Sequence, residues 1–240
     1  MQQISKISII IPTYQEGSNI GDLVSYLVRH SKGHESEVLV IDGGSTDGTF
    51  KNAEEAGAKV VLSPRKGRAS QLNHGAEVAS GDILYFLHAD AFPPSSFLDD
   101  IKGALKLGYD FGNFRQKIQS ENKWVKINSY ASRFNRIISS GGDQSLFIRR
   151  SLFEKLDGYR EDYLMMEDYE FFKRARKKGE SIKIPKSLKV LDRKYQYNSF
   201  LRVNLSNIAI FGMYTLGVHP NRLYPLYKRW IKGPRYSELK

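Results

Sequence analysis

The chain has 240 residues, of which 40% are hydrophobic, so it can bury one large core. It contains no cysteine, which excludes disulfides, thiolate metal sites and cysteine nucleophiles and fits a reducing, cytoplasmic compartment. The net charge of +11 is uneven, because residues 190–240 hold nine Lys/Arg and two acids. Such a surface suits anionic partners: nucleic acid, lipid headgroups or phosphate-bearing small molecules.

Strand and helix patterns alternate through the first 90 residues. Short apolar runs predict strands over residues 7–11, 38–41, 60–62 and 83–87. Helices are predicted between them, over residues 21–30, 47–56 and 69–79. Asn19 is the predicted cap of the first helix and Asp47 or Thr46 that of the second. This alternation predicts a doubly wound α/β sheet.

Beyond residue 90 the pattern is less regular. We predict helices over residues 96–107, 124–137 and 167–178, and extended segments over 111–118, 145–148 and 181–190. Two apolar stretches are too short for the membrane: residues 7–12 for a signal peptide, and residues 205–218 for a bilayer crossing. We therefore expect neither a leader nor a spanning helix.

Polar residues follow three of the predicted strands, where open α/β sheets place their ligands. The turn after the first strand carries Thr13, Tyr14 and Glu16, which could equally be ordinary turn residues. Asp42 closes the second strand and can accept hydrogen bonds from a base or a ribose. Because Asp47 is better placed as a helix cap, we expect Asp42 not to have that structural task.

The fourth strand is followed by His88 and Asp90. A divalent cation can link such residues to a diphosphate, because Mg²⁺ prefers few protein carboxylates together with substrate phosphates. His88 alone could be an ordinary polar residue at a strand end. For Asp90 we favour the metal-binding role, given the other acids predicted in the same cleft.

Two further segments could carry charge to the cleft. Arg68 follows Gly67 at a predicted helix start, which suits an anion site, although a solvated basic loop would look the same. Glu167 and Asp168 stand at the start of a later helix, where acids also favour the helix dipole. An Asp is ionised at neutral pH, so Asp168 could act as a general base.

Taken together, these motifs resemble the family-2 inverting glycosyltransferases with the GT-A fold, over residues 7–190. The resemblance rests on their order: Ile-Pro-Thr-Tyr at 11–14, Asp-Gly-Gly-Ser-Thr-Asp-Gly-Thr at 42–49, Asn-His-Gly at 73–75, Ala-Ser-Gly-Asp at 79–82, His-Ala-Asp at 88–90, Gly-Tyr at 158–159 and Glu-Asp at 167–168. Residues 67–73 and 87–90 resemble, more narrowly, the small bacterial transferases associated with radical-SAM and selenodomain genes.

The resemblance implies a GT-A type mixed sheet with a Rossmann-like nucleotide-binding half over residues 1–190, and a basic, aromatic helical C-terminal extension over 191–240. It implies that a nucleotide-diphosphate sugar, UDP- or GDP-linked, is bound by Pro12, Thr13, Tyr14, Glu16, Asp42, Arg68 and Ala89. It also implies Mg²⁺ or Mn²⁺ at Asp90 and His88. Asp168 would be the catalytic base toward a hydroxyl acceptor, with Asp143 and Glu167 as acceptor-side candidates.

Three departures from the family pattern affect these expectations. His88 replaces the first Asp of the Asp-X-Asp element, which leaves the choice of metal open. The second strand ends Asp-Gly-Gly instead of Asp-Asp-Gly, which removes a carboxylate on the ribose side. The processive signature keeps only Arg229-Trp230, with Leu226 at the position of Gln, so we expect single addition of a sugar.

Two other function classes remain open. A non-catalytic nucleotide-sugar-binding protein would explain His88 and would not depend on Asp168. A basic nucleic-acid-binding module would explain the charge, but no motif supports it, and we expect no nucleic-acid partner. The extension could contact the inner face of a membrane peripherally, form a homodimer, or simply pack as a helix with a solvated basic face.

Overall fold

The computed structural model describes residues 6–120, 145–191 and 193–233. The helix predicted over residues 124–137 and the acceptor-side candidate Asp143 lie outside these ranges. Eight strands in the described ranges form one sheet: β1 (Ile7–Thr13), β2 (Ser36–Asp42), β3 (Lys59–Leu62), β4 (Ile83–Phe86), β5 (Ala91–Phe92), β6 (Phe111–Gln119), β7 (Leu146–Arg149) and β8 (Ser181–Leu191).

The strand order is β3-β2-β1-β4-β7-β6-β8-β5. Pairing is parallel from β3 through β4 and between β6 and β8, while β7 runs antiparallel to both its neighbours and β5 antiparallel to β8. Six strands therefore point the same way. Their carboxyl ends meet at one edge of the sheet, called the carboxyl edge below, and their starts lie at the opposite, amino edge.

Helices cover both faces of the sheet. They are α1 (Ile20–His30), α2 (Thr49–Glu55), α3 (Arg68–Val78), α4 (Phe97–Lys106), α5 (Arg150–Lys155), α6 (Glu167–Ala175), α7 (Arg193–Tyr197), α8 (Phe200–Thr215) and α9 (Pro220–Trp230). Apolar residues of α1, α2 and α4 pack on one face, and those of α3, α5 and α6 on the other. The central strands are buried on both sides, as their continuous apolar runs predict.

The last two helices, α8 and α9, build a third apolar cluster of their own. Val203 and Ile210 of α8 meet Leu223 and Tyr227 of α9, and Met166 joins them from the turn before α6. The chain contains no helix, within its described ranges, that is long and apolar enough to span a membrane.

Most predicted elements are present, with differences at their ends. β1 continues through Pro12 to Thr13, because the ladder to β2 is kept by Gly43 N–H, which donates to the Thr13 carbonyl at 2.9 Å. The two-residue strand β5 lies in the predicted polar loop, and the short helix α5 has too few turns to show periodicity. Asn19 is the N-cap residue of α1, as predicted, but its side chain makes no capping hydrogen bond and donates to Ser18 Oγ instead.

Candidate active site

The loops after β1 and β2 are fastened to each other at the carboxyl edge. The Gln15 amide donates to Ser45 Oγ at 2.9 Å, and Gln15 Oε1 accepts from the Thr46 amide at the same distance. The Gly17 amide donates to Asp47 Oδ2 at 2.9 Å, and a Cβ at Gly17 would lie 2.4 Å from the Asp47 carbonyl oxygen. Only glycine fits there, so this side of the edge is rigid.

Asp42 does not cap the helix that follows, as expected, but it holds the turn after β2. Its Oδ2 accepts from the amides of Gly44 and Ser45 at 3.1 and 2.9 Å, and its Oδ1 accepts from Ser45 Oγ at 2.5 Å. The Thr13 hydroxyl lies 3.3 Å from the same Oδ1. The N-cap residue of α2 is Gly48 instead of the predicted Asp47 or Thr46, but Asp47 Oδ1 accepts from the Thr49 amide at the start of the helix, at 3.2 Å. Both Asp42 and Asp47 therefore hold turns. A role for Asp42 toward a nucleotide would be additional to this one.

The other residues predicted for the nucleotide lie at the same edge. Thr13 and Glu16 are buried, Tyr14 is half-buried, and the Glu16 amide donates to Thr49 Oγ1 at 2.8 Å. Ala89 is buried in the loop that leaves β4.

Sequence reasoning missed Gln71 of α3. Its Nε2 donates to the carbonyls of Thr13 and Ile41, both at 2.7 Å, where β1 and β2 end. The side chain is 5% exposed, and a Cβ at Gly43 would lie 3.2 Å from its Nε2. A polar residue on the inner face of a predicted helix was the available signal. Gln71 ties the strand ends together from beneath the edge.

A cleft opens at the carboxyl edge beside these strand ends. Its empty volume is about 370 Å³. It is lined by residues of β1, α3, β4 and the loop after it, β7 and the residue before it, the turn after α5, and α6: Pro12, Leu72, Phe86, Leu87, His88, Ser145, Leu146, Tyr159, Asp168 and Phe172. Three of the predicted site residues, Pro12, His88 and Asp168, are thus brought together from distant parts of the sequence.

Asp90 stands next to this cleft, in the same loop as His88. Its backbone carbonyl accepts from the Leu191 amide at 3.2 Å, which fixes the loop to the end of β8. Its half-buried carboxylate makes no hydrogen bond or ion pair with another residue of the described ranges. The same ranges hold no group of three or more potential metal ligands. A hard cation bound here would take other ligands from phosphate oxygens, which fits Mg²⁺ or Mn²⁺.

Arg68 bridges the two acids at the start of α6. Its Nη2 donates to Asp168 Oδ2 at 2.7 Å, and its Nε donates to Glu167 Oε1. Glu167 is 2% exposed, and its second oxygen, Oε2, is buried with no hydrogen-bond partner in the structure as described. The preceding Met166 has φ of 66°, so the chain turns sharply into α6 at this point. Arg68 therefore holds the candidate base in the cleft.

Tyr159 forms the wall beside Asp168. Burial, together with the charges of Asp168 and Glu167, raises the pKa of Tyr159 well above its usual value, so the phenol stays neutral. Asn73 fixes this wall: its Oδ1 accepts from the Tyr159 amide at 2.8 Å and its Nδ2 donates to the Tyr159 carbonyl at 2.9 Å. The Asn-His-Gly motif thus has a structural task, since Gly75 also packs directly on Ile10.

The fold and this edge define an α/β protein with a cleft where parallel strands end, the place where such sheets usually bind ligands. The sequence model of Glycosyl transferase family 2 matches residues 8–178. The chain belongs to that family.

Known relatives match parts of the chain. A dolichol-phosphate mannosyltransferase of Pyrococcus furiosus is 33% identical over 110 residues, 44% of this chain and 31% of that protein. An undecaprenyl-phosphate 4-deoxy-4-formamido-L-arabinose transferase of Proteus mirabilis is 25% identical over 154 residues, 60% of this chain and 47% of that protein. The chain therefore spans less than half the length of either relative.

Solved structures share the fold. A mannosyltransferase from Pyrobaculum calidifontis, in complex with GDP-Man and Mn²⁺, superimposes with a TM-score of 0.66 at 18% identity, covering 94% of this chain and 69% of that one. S. aureus TarS gives a TM-score of 0.63 at 17% identity, covering 94% of this chain and 42% of that one. These likenesses confirm the predicted GT-A type fold with its mixed sheet.

Proposed function

We propose that the protein transfers a sugar from a nucleotide-diphosphate sugar to a hydroxyl acceptor, with inversion and one addition per acceptor. The observation that carries this proposal is the convergence of Pro12, His88 and Asp168 on one cleft, with Asp90 beside it. Family membership supports it, as do the names of the two relatives and the GDP-Man and Mn²⁺ of the solved neighbour. The motifs of residues 67–73 and 87–90 favour the radical-SAM and selenodomain-associated subgroup.

The nucleotide would lie across the ends of β1 and β2. Tyr14 is half-buried there and available to a base, and Thr13 and Asp42 line the same edge. Pro12, Glu16 and Ala89 shape the surface. The rigid loops make this half of the site preorganised, which lowers the entropy cost of binding.

Asp90 and His88 would hold Mg²⁺ or Mn²⁺. The bound cation would offset the negative charge that develops on the leaving phosphate. The protein itself offers the Arg68 guanidinium, which in the described structure pairs with acids at the start of α6. An arriving diphosphate would compete for this guanidinium and so uncover the Asp168 carboxylate.

Asp168 would take the proton from the acceptor hydroxyl. The resulting oxygen forms its bond to the anomeric carbon on the face opposite the nucleotide, the bond from that carbon to the diphosphate oxygen breaks, and its electron pair leaves on the diphosphate. Tyr159 and Phe172 exclude water around the carboxylate. Glu167 would hold Arg68 on the acceptor side, and Asp143 remains a further acceptor-side candidate of the proposal.

The experiment is donor turnover by Asp168→Asn. A screen of UDP- and GDP-sugars by thermal shift with Mn²⁺ first identifies the donor. Loss of a general base costs about 10²–10⁴-fold in rate. We expect a loss in that range with the dissociation constant of the nucleotide unchanged, whereas the exposed control Asp162→Asn keeps its rate. Unchanged turnover by Asp168→Asn would contradict the mechanism, and nucleotide binding without any turnover would favour a non-catalytic binding protein.

We also propose that α8 rests on a membrane with anionic lipids, on the cytoplasmic side. Leu201, Leu205 and Ile208 lie on the outer face of α8 and are 67%, 63% and 68% exposed. Residues 193–233 hold seven Lys/Arg and no acid, which complements anionic headgroups.

Cosedimentation with phosphatidylglycerol vesicles tests the α8 contact, with phosphatidylcholine vesicles as the reference. Leu205→Glu should abolish binding, and Leu107→Glu, at an exposed site on the far α4, should keep it. No vesicle binding by the wild type would contradict the proposal. Light scattering that shows a dimer disrupted by Leu205→Glu would assign this face to a homodimer instead.

A further inference from the structure

One face of the β6–β8 pair carries a row of cations. Side chains of register partners point to the same face of a sheet, and the register pairs Asn113 with Lys183 and Lys117 with Lys189. Arg115 pairs with Ser187. Neither strand contains an acid. We call Arg115, Lys117, Lys183 and Lys189 the basic stripe.

The stripe lies on the same face as α6. Phe111 of β6 meets Phe172 of α6 at a ring distance of 5.3 Å, and Arg115 shares its parity along the strand. Phe114, Ile184 and Leu188 point to the opposite face, into the α1–α4 core, so their strand neighbours point to the α6 side. Arg176, just past α6, joins the lower end, with its Nε 3.5 Å from Ser181 Oγ.

The charges of the stripe act on one another. Burial of Lys183, together with the charges of Arg176 and Arg115, lowers the pKa of Lys183 to about 8. The Nε of Arg115 is buried and has no hydrogen-bond partner in the described ranges. A buried guanidinium nitrogen without an acceptor is unfavourable, and an anionic ligand would satisfy it.

The stripe lies beside α6, which contributes two residues to the cleft. Asp168, Phe172 and Arg176 follow each other on one face of α6, and the first two line the cleft. At a rise of 1.5 Å per residue, Arg176 lies about 12 Å along this helix from Asp168. At the upper end, the β8 terminus is bonded to the loop of Asp90 through the Leu191 amide, at 3.2 Å.

The stripe is also separate from the nucleotide half. The expected nucleotide edge is formed by β1, β2 and β4, and β7 lies between β4 and the strands of the stripe. A molecule on the stripe would therefore approach Asp168 from the side opposite the donor. That is the position that an acceptor needs.

We propose that the basic stripe binds a phosphate group carried by the acceptor. The proposal rests on the proposed function, since it assigns the chemistry of the acceptor for that same site. Arg115 supplies paired N–H donors in the planar fork that suits phosphate oxygens, and the lysines add charge. A phosphate on a lipid and a phosphate on a soluble sugar share this chemistry.

The experiment is calorimetry on the full chain with farnesyl phosphate and, separately, glucose 6-phosphate. For whichever phosphate compound the wild type binds, Arg115→Gln should raise the dissociation constant at least ten-fold. The control Lys59→Gln removes an exposed cation at the start of β3 and should change that constant less than two-fold. Farnesol, which lacks the phosphate, should bind equally to wild type and Arg115→Gln. If only farnesyl phosphate binds tightly, the phosphate is that of a lipid acceptor. If glucose 6-phosphate binds as well, the phosphate is that of a soluble acceptor.

UDP and GDP titrations with Mn²⁺ separate this proposal from the proposed function. Arg115→Gln should leave the dissociation constants of UDP and GDP unchanged. A wild type that binds nucleotide but neither phosphate would overturn the stripe alone, as would equal phosphate binding by wild type and Arg115→Gln. If Arg115→Gln does not fold, the exposed Lys189→Gln takes its place, with about a five-fold weakening expected and unchanged affinity counting against the proposal.

Discussion

The two edges of the sheet differ in whether every acid has a hydrogen-bond partner. At the amino edge, Glu37 accepts from Ser8 Oγ at 2.6 Å and from the amide and hydroxyl of Ser80 at 2.7 and 2.8 Å. At the carboxyl edge, the Asp90 carboxylate has no partner in the described ranges, and neither has Glu167 Oε2. A saturated acid such as Glu37 stabilises the fold, whereas an acid left unsatisfied at the carboxyl edge is available to a ligand.

The same contrast holds for the arginines. Arg150 donates to the carbonyls of Gly81, Ala76 and Ala79, each at 2.8 Å, and closes the bottom of α3. Arg68 pairs with acids that the proposed reaction needs, and Arg115 has a buried nitrogen without an acceptor among described residues. The hydrogen bonds of Arg150 are complete without a ligand. In the two proposals, Arg68 and Arg115 would each bind a phosphate of a substrate.

The largest expected effect on stability comes from breaking the amino edge at Arg150. Arg150→Ala leaves three carbonyls without their donor, and at about 1 kcal/mol each we expect a loss of about 3 kcal/mol in the free energy of unfolding. Urea denaturation measures this loss. Arg160→Ala, which removes an exposed arginine near the opposite edge, should cost less than about 0.5 kcal/mol. If Arg150→Ala lowers the free energy of unfolding as little as the control does, the proposed difference between the two edges is contradicted.

A matched pair of Glu→Gln changes sharpens the comparison. Glu37→Gln should lower the free energy of unfolding by about 2 kcal/mol, because a neutral amide cannot accept these donors as the carboxylate does. Glu167→Gln should cost about 1 kcal/mol less, because Oε2 has no donor to lose and Arg68 keeps Asp168. Denaturation of both variants in parallel measures the difference, and equal costs would contradict it.

The Glu37 contribution should also depend on pH. Burial raises the pKa of Glu37, but hydrogen bonds from Ser8 and Ser80 and the charge of Lys6 outweigh it and lower the value to about 2 from 4.5. A depressed folded-state pKa stabilises the protein above the unfolded value, and the stabilisation is lost as pH falls from about 4.5 toward 2. The stability gap between wild type and Glu37→Gln should therefore shrink between pH 7 and pH 3. A constant gap would contradict this assignment.

The smallest expected effect concerns the turn that presents Asp168. Asn221 of α9 accepts from the Leu164 amide at 3.1 Å and donates to the Asp162 carbonyl at 2.9 Å, so the extension fixes this turn. Asn221→Ala should lower kcat about three- to ten-fold, in keeping with about 1 kcal/mol of lost positioning. KM for the donor should stay the same. Asn207→Ala, in α8, is the control. An unchanged kcat for Asn221→Ala would contradict a role of the extension in positioning Asp168.

Sequence patterns predicted the sheet well because buried parallel strands read as continuous apolar runs, as in β1, β2 and β4. They predicted which loops meet at the carboxyl edge, but not the partners within them. Asp42 was correctly expected not to cap a helix, but its role in holding a turn was not predicted, because hydrogen bonding to amides two and three residues ahead depends on loop geometry. The Arg68–Asp168 pair spans 100 residues, and no local pattern encodes it.

The central claim is that the unsatisfied acid at the carboxyl edge, Asp90, binds a metal and a nucleotide together. Calorimetry of UDP and GDP with and without Mn²⁺, on wild type and Asp90→Ala, tests it most directly, with the exposed Asp99→Ala as control. We expect Mn²⁺ to tighten nucleotide binding by wild type and Asp99→Ala at least ten-fold and to leave Asp90→Ala unaffected. Equal tightening in Asp90→Ala, or no nucleotide binding by the wild type with Mn²⁺ present, would contradict the account.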